Sequence, residues 1–396
     1  MASKPAILTV VENLPVPLDR RVWQESCALR DAGYEVVVIC PQMRGYTEPE
    51  EVIDGIHVYR HWISDEASGI GGFIREYGSA LIGEMMLAVK VWQRHRFEVV
   101  HLCNPPDLLW MVALPFKLLF GVKVIYDIHD VWPEMFEAKF GRRGLLYWAV
   151  RIFERCTYFC TNIALATNES VKAVAMERGA MRDECVYVVR TSPKIVAANA
   201  TADPSLRKGR KYLVGYVGVM GNADGVDLLL RAIAHVVHEL KRDDVQFMLM
   251  GTGPEFDELQ SLRRDLYLEE HVEMPGRVSD EFLFSVLKTM DLGVSSDPRN
   301  GYNDHCTMNK VLEYMAFGKA QVMFDLTEGR ASAGEASAYV RENDPAQLGD
   351  AMVALLDNPA ERKRMGMIGR ERLTTQLNWE RSVDQLLKAY RAALNG

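Results

Sequence analysis

The chain holds 396 residues, of which 46 are Lys or Arg and 54 are Asp or Glu, and its formal net charge is −8. Because most domains hold about 100 to 150 residues, this length predicts two domains. A hydrophobic content of 48% predicts an ample core. The acidic balance argues against a general nucleic-acid binder, which normally carries a basic surplus.

Cysteine usage and the amino terminus predict a cytoplasmic protein. The seven cysteines show neither a CxxC pair nor metal-ligand spacing, so we expect reduced thiols and no metal site. The chain enters a strand-like run at residues 6–11 without a signal-peptide pattern. No run of about 18 apolar residues occurs, so no transmembrane helix is expected.

The first half of the chain alternates short apolar runs with helical periodicity. Strands are predicted at 6–11, 36–40, 99–102, 122–127 and 163–166, and helices at 20–32, 78–94 and 145–158 among others. This alternation predicts an α/β fold with a doubly wound parallel sheet. Ligands of such sheets bind beyond the carboxyl ends of the strands, so the loops there are the candidate site.

Two of these loops carry polar residues that would either face a ligand or only shape the start of the next helix. Asp19, Arg20 and Arg21 begin the helix after the first strand, where they would line the site or form a solvated helix start. Asn104 and Asp107 lie in the loop CNPPDLLW, where they would line the site or cap the next helix.

The loop DIHDVWPE at 127–134 is the sharpest signal in this half. Asp127, His129, Asp130 and Glu134 gather at the end of a central strand. A histidine flanked by carboxylates at such an edge indicates a functional role for His129, because a core histidine usually lies within a helix or strand. Asp130 and Glu134 could instead support or cap neighbouring structure.

An apolar helical pattern with interspersed arginines covers residues 142–160. It fits a helix that rests on an anionic membrane surface, and it also fits a plain core helix. The segment 69–96 leaves the same two alternatives open.

Small, polar and basic residues replace the apolar periodicity over 196–211, which predicts a linker between domains at 1–195 and 212–377. A second alternating series follows, with strands predicted at 212–219, 245–251, 272–274, 292–296 and 321–324, and helices at 226–241, 255–267, 280–289 and 308–317. The sequence therefore predicts two doubly wound domains in tandem.

The loops of the second domain contain several candidate ligand contacts. Gly218 and Gly221 would let backbone N–H groups approach an anion, or would serve a tight strand-to-helix turn. Gly276, Arg277 and Val278 follow a predicted strand, and Arg330 lies in a loop of small residues, which suits main-chain contact with a ligand.

The most informative stretch runs from 291 to 318, as strand, polar loop and short helix. Thr307 is the predicted N-cap and Gly318 the predicted stop. Asn309 and Lys310 then lie in the first turn, and Glu313 shares their face. A helix start with a lysine favours an anion, and a carboxylate one turn deeper suits ribose hydroxyls. An ordinary amphipathic helix is the alternative.

The segment NDHCTMNKVLEYMAFGKAQVMFDL resembles the nucleotide-sugar motif of glycosyltransferase family four (GT4), the retaining enzymes of two-domain GT-B architecture. The run HD..PE at 129–134 is similar to a segment of a bacterial polysaccharide branch of that family. The resemblance implies transfer of a sugar from a nucleoside diphosphate to an acceptor hydroxyl, with no cofactor or metal. It also implies two domains facing a cleft, with helix 378–396 crossing back to the first.

Two positions depart from the family pattern. Of the two signature glutamates, Glu313 matches the second, while His305 replaces the first, so donor choice would differ. Relatives usually clamp the diphosphate with an Arg and a Lys in the first loop of the second domain. This chain has Val219 or Met220, and Asp224, at those places, so neutralisation would depend mainly on Lys310.

The resemblance assigns roles residue by residue. His129, Lys310 and Glu313 would be catalytic. Donor-binding residues would be Gly218, Gly221, Gly276, Arg277, Val278, His305, Thr307, Met308, Asn309 and Arg330. The first domain would bind the acceptor through Asp19, Arg20, Arg21, Asn104 and Asp107.

The implied partners are a nucleoside-diphosphate sugar and a saccharide, lipid-linked or small-molecule acceptor, with possible peripheral contact at the inner membrane face and no nucleic acid. A nucleotide-sugar epimerase of GT-B fold and a non-catalytic binding subunit are the alternative functions. The missing clamp favours the non-catalytic subunit, and the retained Lys310, Glu313 and His129 oppose it.

Overall fold

The computed structural model describes residues 5–63, 69–141, 143–193 and 201–395. The chain divides into two compact units, Met1–Thr191 with Glu380–Gly396, and Ser192–Trp379. Residues 196–200 of the predicted linker lie outside the described residues, and Pro204–Arg207 of the linker forms a 3₁₀ turn in unit 2.

Unit 1 is built on an eight-stranded sheet in the order β3-β4-β2-β1-β5-β6-β7-β8. All neighbouring strands are parallel except β3 and β4, which form an antiparallel edge pair. The strands are β1 (Ala6–Val11), β2 (Glu35–Pro41), β3 (Glu50–Ile53), β4 (Ile56–His61), β5 (Val99–Cys103), β6 (Lys123–Ile128), β7 (Ile163–Ala166) and β8 (Val186–Val188).

The five strands predicted in this half are confirmed to within one residue at either end, because they are continuous apolar runs buried on both faces of the sheet. The sequence analysis did not predict β3, β4 and β8. The first of these is a four-residue, partly exposed edge strand, EEVI, which lacks such a run.

Helices pack on the sheet of unit 1, as expected for a doubly wound fold. They are α1 (Arg20–Asp31), α2 (Gly69–His95), α3 (Trp110–Phe120), α4 (Trp132–Phe140), α5 (Leu145–Cys160) and α6 (Glu169–Glu177).

Unit 2 has a six-stranded, wholly parallel sheet in the order β11-β10-β9-β12-β13-β14. Its strands are β9 (Tyr212–Val217), β10 (Val245–Met250), β11 (Val272–Gly276), β12 (Leu292–Ser295), β13 (Ala320–Phe324) and β14 (Ser337–Val340). The chain reverses direction across the sheet between β9 and β12, so the loops after these two strands lie at the point where such sheets bind ligands.

The helices of unit 2 are α7 (Val226–Ala234), α8 (Phe256–Asp265), α9 (Asp280–Thr289), α10 (Asn309–Ala316), α11 (Thr327–Ala333), α12 (Pro345–Leu356) and α13 (Pro359–Thr375). The predicted helix 226–241 divides, because a π turn at His235–Glu239 follows α7.

The last helix, α14 (Trp379–Asn395), begins at the end of unit 2, and its remaining residues belong to unit 1. Its buried Tyr390 places its hydroxyl 2.6 Å from Nδ1 of the buried His101 on β5. Each sheet with its helices forms a doubly wound α/β unit, as predicted. No helix among the described residues has the length and apolar content needed to cross a bilayer.

Candidate active site

Helix α10 begins later than predicted. Residues Asn303–His305 form a 3₁₀ turn, and the chain then stays extended until Met308, which is the N-cap residue and makes no side-chain cap. The prediction that Thr307 caps the helix is therefore wrong. Asn309 and Lys310 still occupy the first turn, and Gly318 follows the helix with a φ of 64°, as expected of a helix stop.

Tight packing fixes α10 against β12. The hydroxyl of Tyr314 donates to the carbonyl of Val294 at 2.9 Å and accepts from the N–H of Val217 at 3.2 Å. A Cβ at Gly293 would lie 2.5 Å from the Tyr314 ring, so glycine is required there. This contact holds the first turn of α10 at the carboxyl edge of the sheet.

Lys310 is buried, with 7% of its side chain exposed, and it is paired. Its ammonium lies 2.8 and 2.9 Å from the two carboxylate oxygens of Asp297 and 4.8 Å from the centre of the Tyr216 ring. Burial lowers the pKa of Lys310, but Asp297 outweighs that effect and the pKa is raised. Lys310 is therefore a desolvated cation, and not the solvated lysine expected of an ordinary amphipathic helix.

The sequence analysis missed Asp297, which is the partner of Lys310. It follows the end of β12, is 2% exposed, and accepts a hydrogen bond from Ser295 Oγ. Its position after a buried strand, in the run SSDP, is the signal that could have identified it.

The loop after β9 lies directly against Lys310. A Cβ at Gly218 would be 3.1 Å from Cε of Lys310. The N–H of Gly218 donates to the carbonyl of Met250 at 3.1 Å, and that of Gly221 donates to Asp224 Oδ2 at 3.1 Å. These two N–H groups are thus engaged within the protein, which favours the tight strand-to-helix turn over contact with an anion.

The remaining predicted donor residues occupy several loops of unit 2. Glu313 is half-buried, one turn beyond Lys310, and His305 is half-buried in the 3₁₀ turn. Gly276 ends β11 with a φ of 78°, and Arg277 and Val278 follow it, exposed and half-buried respectively. Arg330 pairs with Asp325 and lies 4.1 Å from the centre of the Tyr339 ring.

In unit 1, Asp127 at the end of β6 is fully buried and paired. Arg21 donates from Nε and Nη2 to its two oxygens at 2.9 and 2.6 Å, and from Nη1 to the carbonyl of Val189 at 2.7 Å. Only 6% of Arg21 is exposed, so it is not a solvated helix start. Its contact with an acceptor stays a prediction. Asp19 caps α1 by accepting from the N–H of Val22, and Arg20 is exposed.

Asp127 also holds His129, whose Nε2 lies 2.6 Å from Asp127 Oδ2. The imidazole is 16% exposed, so one edge reaches the surface of unit 1. Burial lowers the pKa of His129, but Asp127 outweighs it and the pKa is raised. The nearby Glu25, which pairs with Arg21 at 3.1 Å, has its pKa raised to about 7 by burial, with Arg21 opposing.

Asn104 and Asp107 are buried and neither caps a helix. The Asn104 side chain accepts from the N–H of His129 at 2.8 Å. It donates to Asp107 Oδ1 at 3.1 Å, to the Tyr126 hydroxyl at 2.9 Å and to the carbonyl of Asp130 at 2.9 Å. Both residues therefore hold the loop that carries His129. Glu134, in the first turn of α4, pairs with Arg178.

Two groups of three side chains among the described residues have ligand-type atoms within 4.8 Å of one another. His101, Cys103 and Asp127 form the first, where the guanidinium of Arg21 already neutralises the carboxylate and disfavours a further cation. The second group is partly exposed and lies where β2, β4 and the end of α2 meet; it consists of Glu35, His57 and His95.

The chain matches two family models that together span most of its length. Residues 18–190 match a "Glycosyl transferase 4-like domain", and residues 211–358 match "Glycosyl transferases group 1". Over 168 residues the chain is 31% identical to the phosphatidyl-myo-inositol mannosyltransferase of Mycobacterium leprae, a match that covers 42% of each protein.

Solved structures share the fold over the whole chain. The sucrose-phosphate synthase of Thermosynechococcus elongatus superposes with a TM-score of 0.80 at 16% identity, covering 99% of this chain and 100% of the other. The Anabaena protein HepE in complex with UDP-glucose gives 0.72 at 14% identity, covering 98% and 99%. These structures show a GT-B fold, and the two family-model matches show that the chain belongs to glycosyltransferase family four and is a glycosyltransferase.

Proposed function

We propose that the chain transfers a sugar from a nucleoside-diphosphate donor to an acceptor hydroxyl, with retention of anomeric configuration and without a metal ion. The observation that carries this proposal is the buried ammonium of Lys310, in the first turn of α10 and against the glycine loop after β9. The family and the UDP-glucose bound to HepE support a nucleotide-sugar donor.

Transfer of a sugar from a nucleoside diphosphate requires few protein groups at the reacting centre. Positive charge develops on the sugar and negative charge on the departing diphosphate, so a cation and oriented dipoles at the leaving group lower the barrier. Lys310 and the N-terminal end of α10 supply both. An incoming diphosphate would compete with Asp297 for the ammonium.

Glu313 and His129 complete the proposed site. We propose that Glu313 accepts hydrogen bonds from the ribose and that His129 contacts the reacting sugar. The bond to Asp127 holds the ring of His129 and stabilises its charged form, so the imidazolium can donate a hydrogen bond to a sugar hydroxyl.

Replacing Glu313 with alanine is expected to abolish release of nucleoside diphosphate, because the ribose loses its acceptor. Glu313→Gln keeps the shape and should retain weak activity. The measurement is donor-dependent diphosphate release over a panel of acceptors, with circular dichroism to verify folding. Full activity of a folded Glu313→Ala protein would contradict the assignment.

The same assay separates the alternatives. A GT-B epimerase would convert its nucleotide sugar with no acceptor present, whereas a transferase needs one. A non-catalytic subunit would bind the donor and release nothing. We expect acceptor-dependent release that persists in EDTA, since Lys310 takes the place of a metal at the leaving group.

We further propose that the acceptor is a lipid-linked or polysaccharide glycan reached at a membrane surface, as the lipid named in the mycobacterial mannosyltransferase suggests. One face of α5 exposes Leu145, Trp148, Ile152 and Phe159, which are 90%, 58%, 61% and 89% exposed. Their spacing of three, four and seven residues forms one stripe. The exposed Arg155 of the same helix adds charge that favours anionic lipid, whereas the charge of Arg143 is offset by Glu137.

The double variant Leu145→Gln with Phe159→Gln is expected to lower binding to phosphatidylglycerol vesicles at least tenfold, because it removes two apolar side chains from the bilayer contact. The matched control changes the exposed Tyr267 and Met367 of unit 2 to Gln. Vesicle flotation measures the effect. Equal binding of both double variants, or of neutral and anionic vesicles, would contradict the proposal.

A further inference from the structure

The loop between β9 and α7 places a carboxylate, and not a cation, beside the Lys310–Asp297 pair. Asp224 is half-buried, and its Oδ2 accepts the N–H of Gly221 at 3.1 Å. Its carbonyl accepts Ser296 Oγ at 3.0 Å. Ser296 precedes Asp297, which binds Lys310, so these two hydrogen bonds hold Asp224 beside the Lys310–Asp297 pair.

The charges around Asp224 are mostly negative. Lys310 from α10 faces it, and so do the carboxylates of Asp297 after β12 and Glu255 before α8. The Tyr216 hydroxyl of β9 lies nearby and stays neutral, because burial raises its pKa well above the usual value. The single positive charge of Lys310 thus faces the carboxylates of Asp297 and Asp224, and an approaching dianion adds further negative charge to this cluster.

We propose that Asp224 takes up a proton when a nucleotide sugar binds at the start of α10, so that donor binding and proton uptake are linked. This inference rests on the proposed function, since it requires the diphosphate to lie beside Lys310. It assigns to Asp224 the control of donor affinity.

The free protein binds a proton at Asp224 more readily than an ordinary aspartate does. Burial raises the pKa of Asp224 to about 6, with Lys310 opposing and Asp297 and Glu255 adding to the rise. A bound diphosphate stabilises the protonated form further. Affinity should therefore increase as the pH falls from about 8, and level off below about 6, where Asp224 is already protonated in the free protein.

The test is isothermal titration calorimetry with UDP-glucose, GDP-mannose, ADP-glucose and dTDP-glucose, in buffers of different ionisation enthalpy. The diphosphate diester of a nucleotide sugar does not titrate near neutrality, so any proton taken up comes to the protein. One of these donors should bind, and its affinity should be about tenfold higher at about pH 6 than at about pH 8. The complex should take up protons as it forms.

Asp224→Asn should bind that donor at high pH as tightly as the wild type does at low pH, with no proton uptake. Asp227→Asn, which makes the same charge change in the first turn of α7, should keep the wild-type pH profile. Binding without proton uptake, or an unchanged Asp224→Asn profile, would overturn this inference alone. Failure of all four nucleotide sugars to bind would overturn the proposed function together with it.

Discussion

Lys310→Met is expected to abolish donor binding and to destabilise the protein by about 3 to 5 kcal/mol, the cost of leaving one member of a buried ion pair alone. Asp297 is 2% exposed, and both of its carboxylate oxygens accept hydrogen bonds from the Lys310 ammonium. The methionine retains most of the side-chain volume, so the loss reflects charge and not a cavity. Denaturant unfolding measures the stability and calorimetry the donor affinity.

A double variant separates the two effects. Lys310→Met with Asp297→Asn removes both charges, so the free energy of unfolding should return toward that of the wild type. Donor binding should stay absent, because no cation faces the diphosphate. Sugar transfer by this double variant at the wild-type rate would show that Lys310 has no role at the leaving group, even though it stabilises the fold.

Arg21→Met is expected to produce a comparable loss in unit 1, also about 3 to 5 kcal/mol. Arg21 holds Asp127 with two hydrogen bonds and pairs with Glu25, and all three side chains are buried. Removal of Arg21 leaves two carboxylates together in a site of low polarity. Arg20→Met is the matched control, because Arg20 is exposed, and should change stability by no more than about 0.5 kcal/mol.

The loss of stability caused by Arg21→Met should depend on pH. In the wild type the pKa of Asp127 lies well below its usual value, since Arg21 and His129 outweigh burial. A lowered carboxyl pKa contributes stability above the unfolded pKa, and that stability is lost as the pH falls through the folded value. Without Arg21 the Asp127 carboxylate takes up a proton at a higher pH than in the wild type, so the deficit of Arg21→Met should be largest near neutrality and shrink as the pH falls toward about 4. A deficit independent of pH would contradict the electrostatic explanation.

The sequence predicted most of the framework because parallel strands buried on both faces form continuous apolar runs. It also placed Asn309, Lys310 and Glu313 on a short helix, since helical spacing is local. Thr307 was wrongly taken as the cap, because the 3₁₀ turn at Asn303–His305 and the extended residues after it carry no strong sequence signal.

The partners of the charged residues could not be read from the sequence. Asp297 meets Lys310 across 13 positions, and Asp127 meets Arg21 across 106, through contacts that only the folded sheets create. The sequence therefore left Arg21 and Asn104 either at a ligand or at a helix start, and only the folded structure shows that they also hold Asp127 and the loop of His129. Periodicity locates elements, but it does not reveal which charges are paired.

A crystal structure with the nucleotide sugar selected by calorimetry tests the central claim most directly. The account predicts the diphosphate at the first turn of α10, with an oxygen within about 3 Å of Lys310 Nζ and the ribose hydroxyls at Glu313. A nucleotide bound elsewhere on the protein, with the Lys310–Asp297 pair untouched, would contradict it.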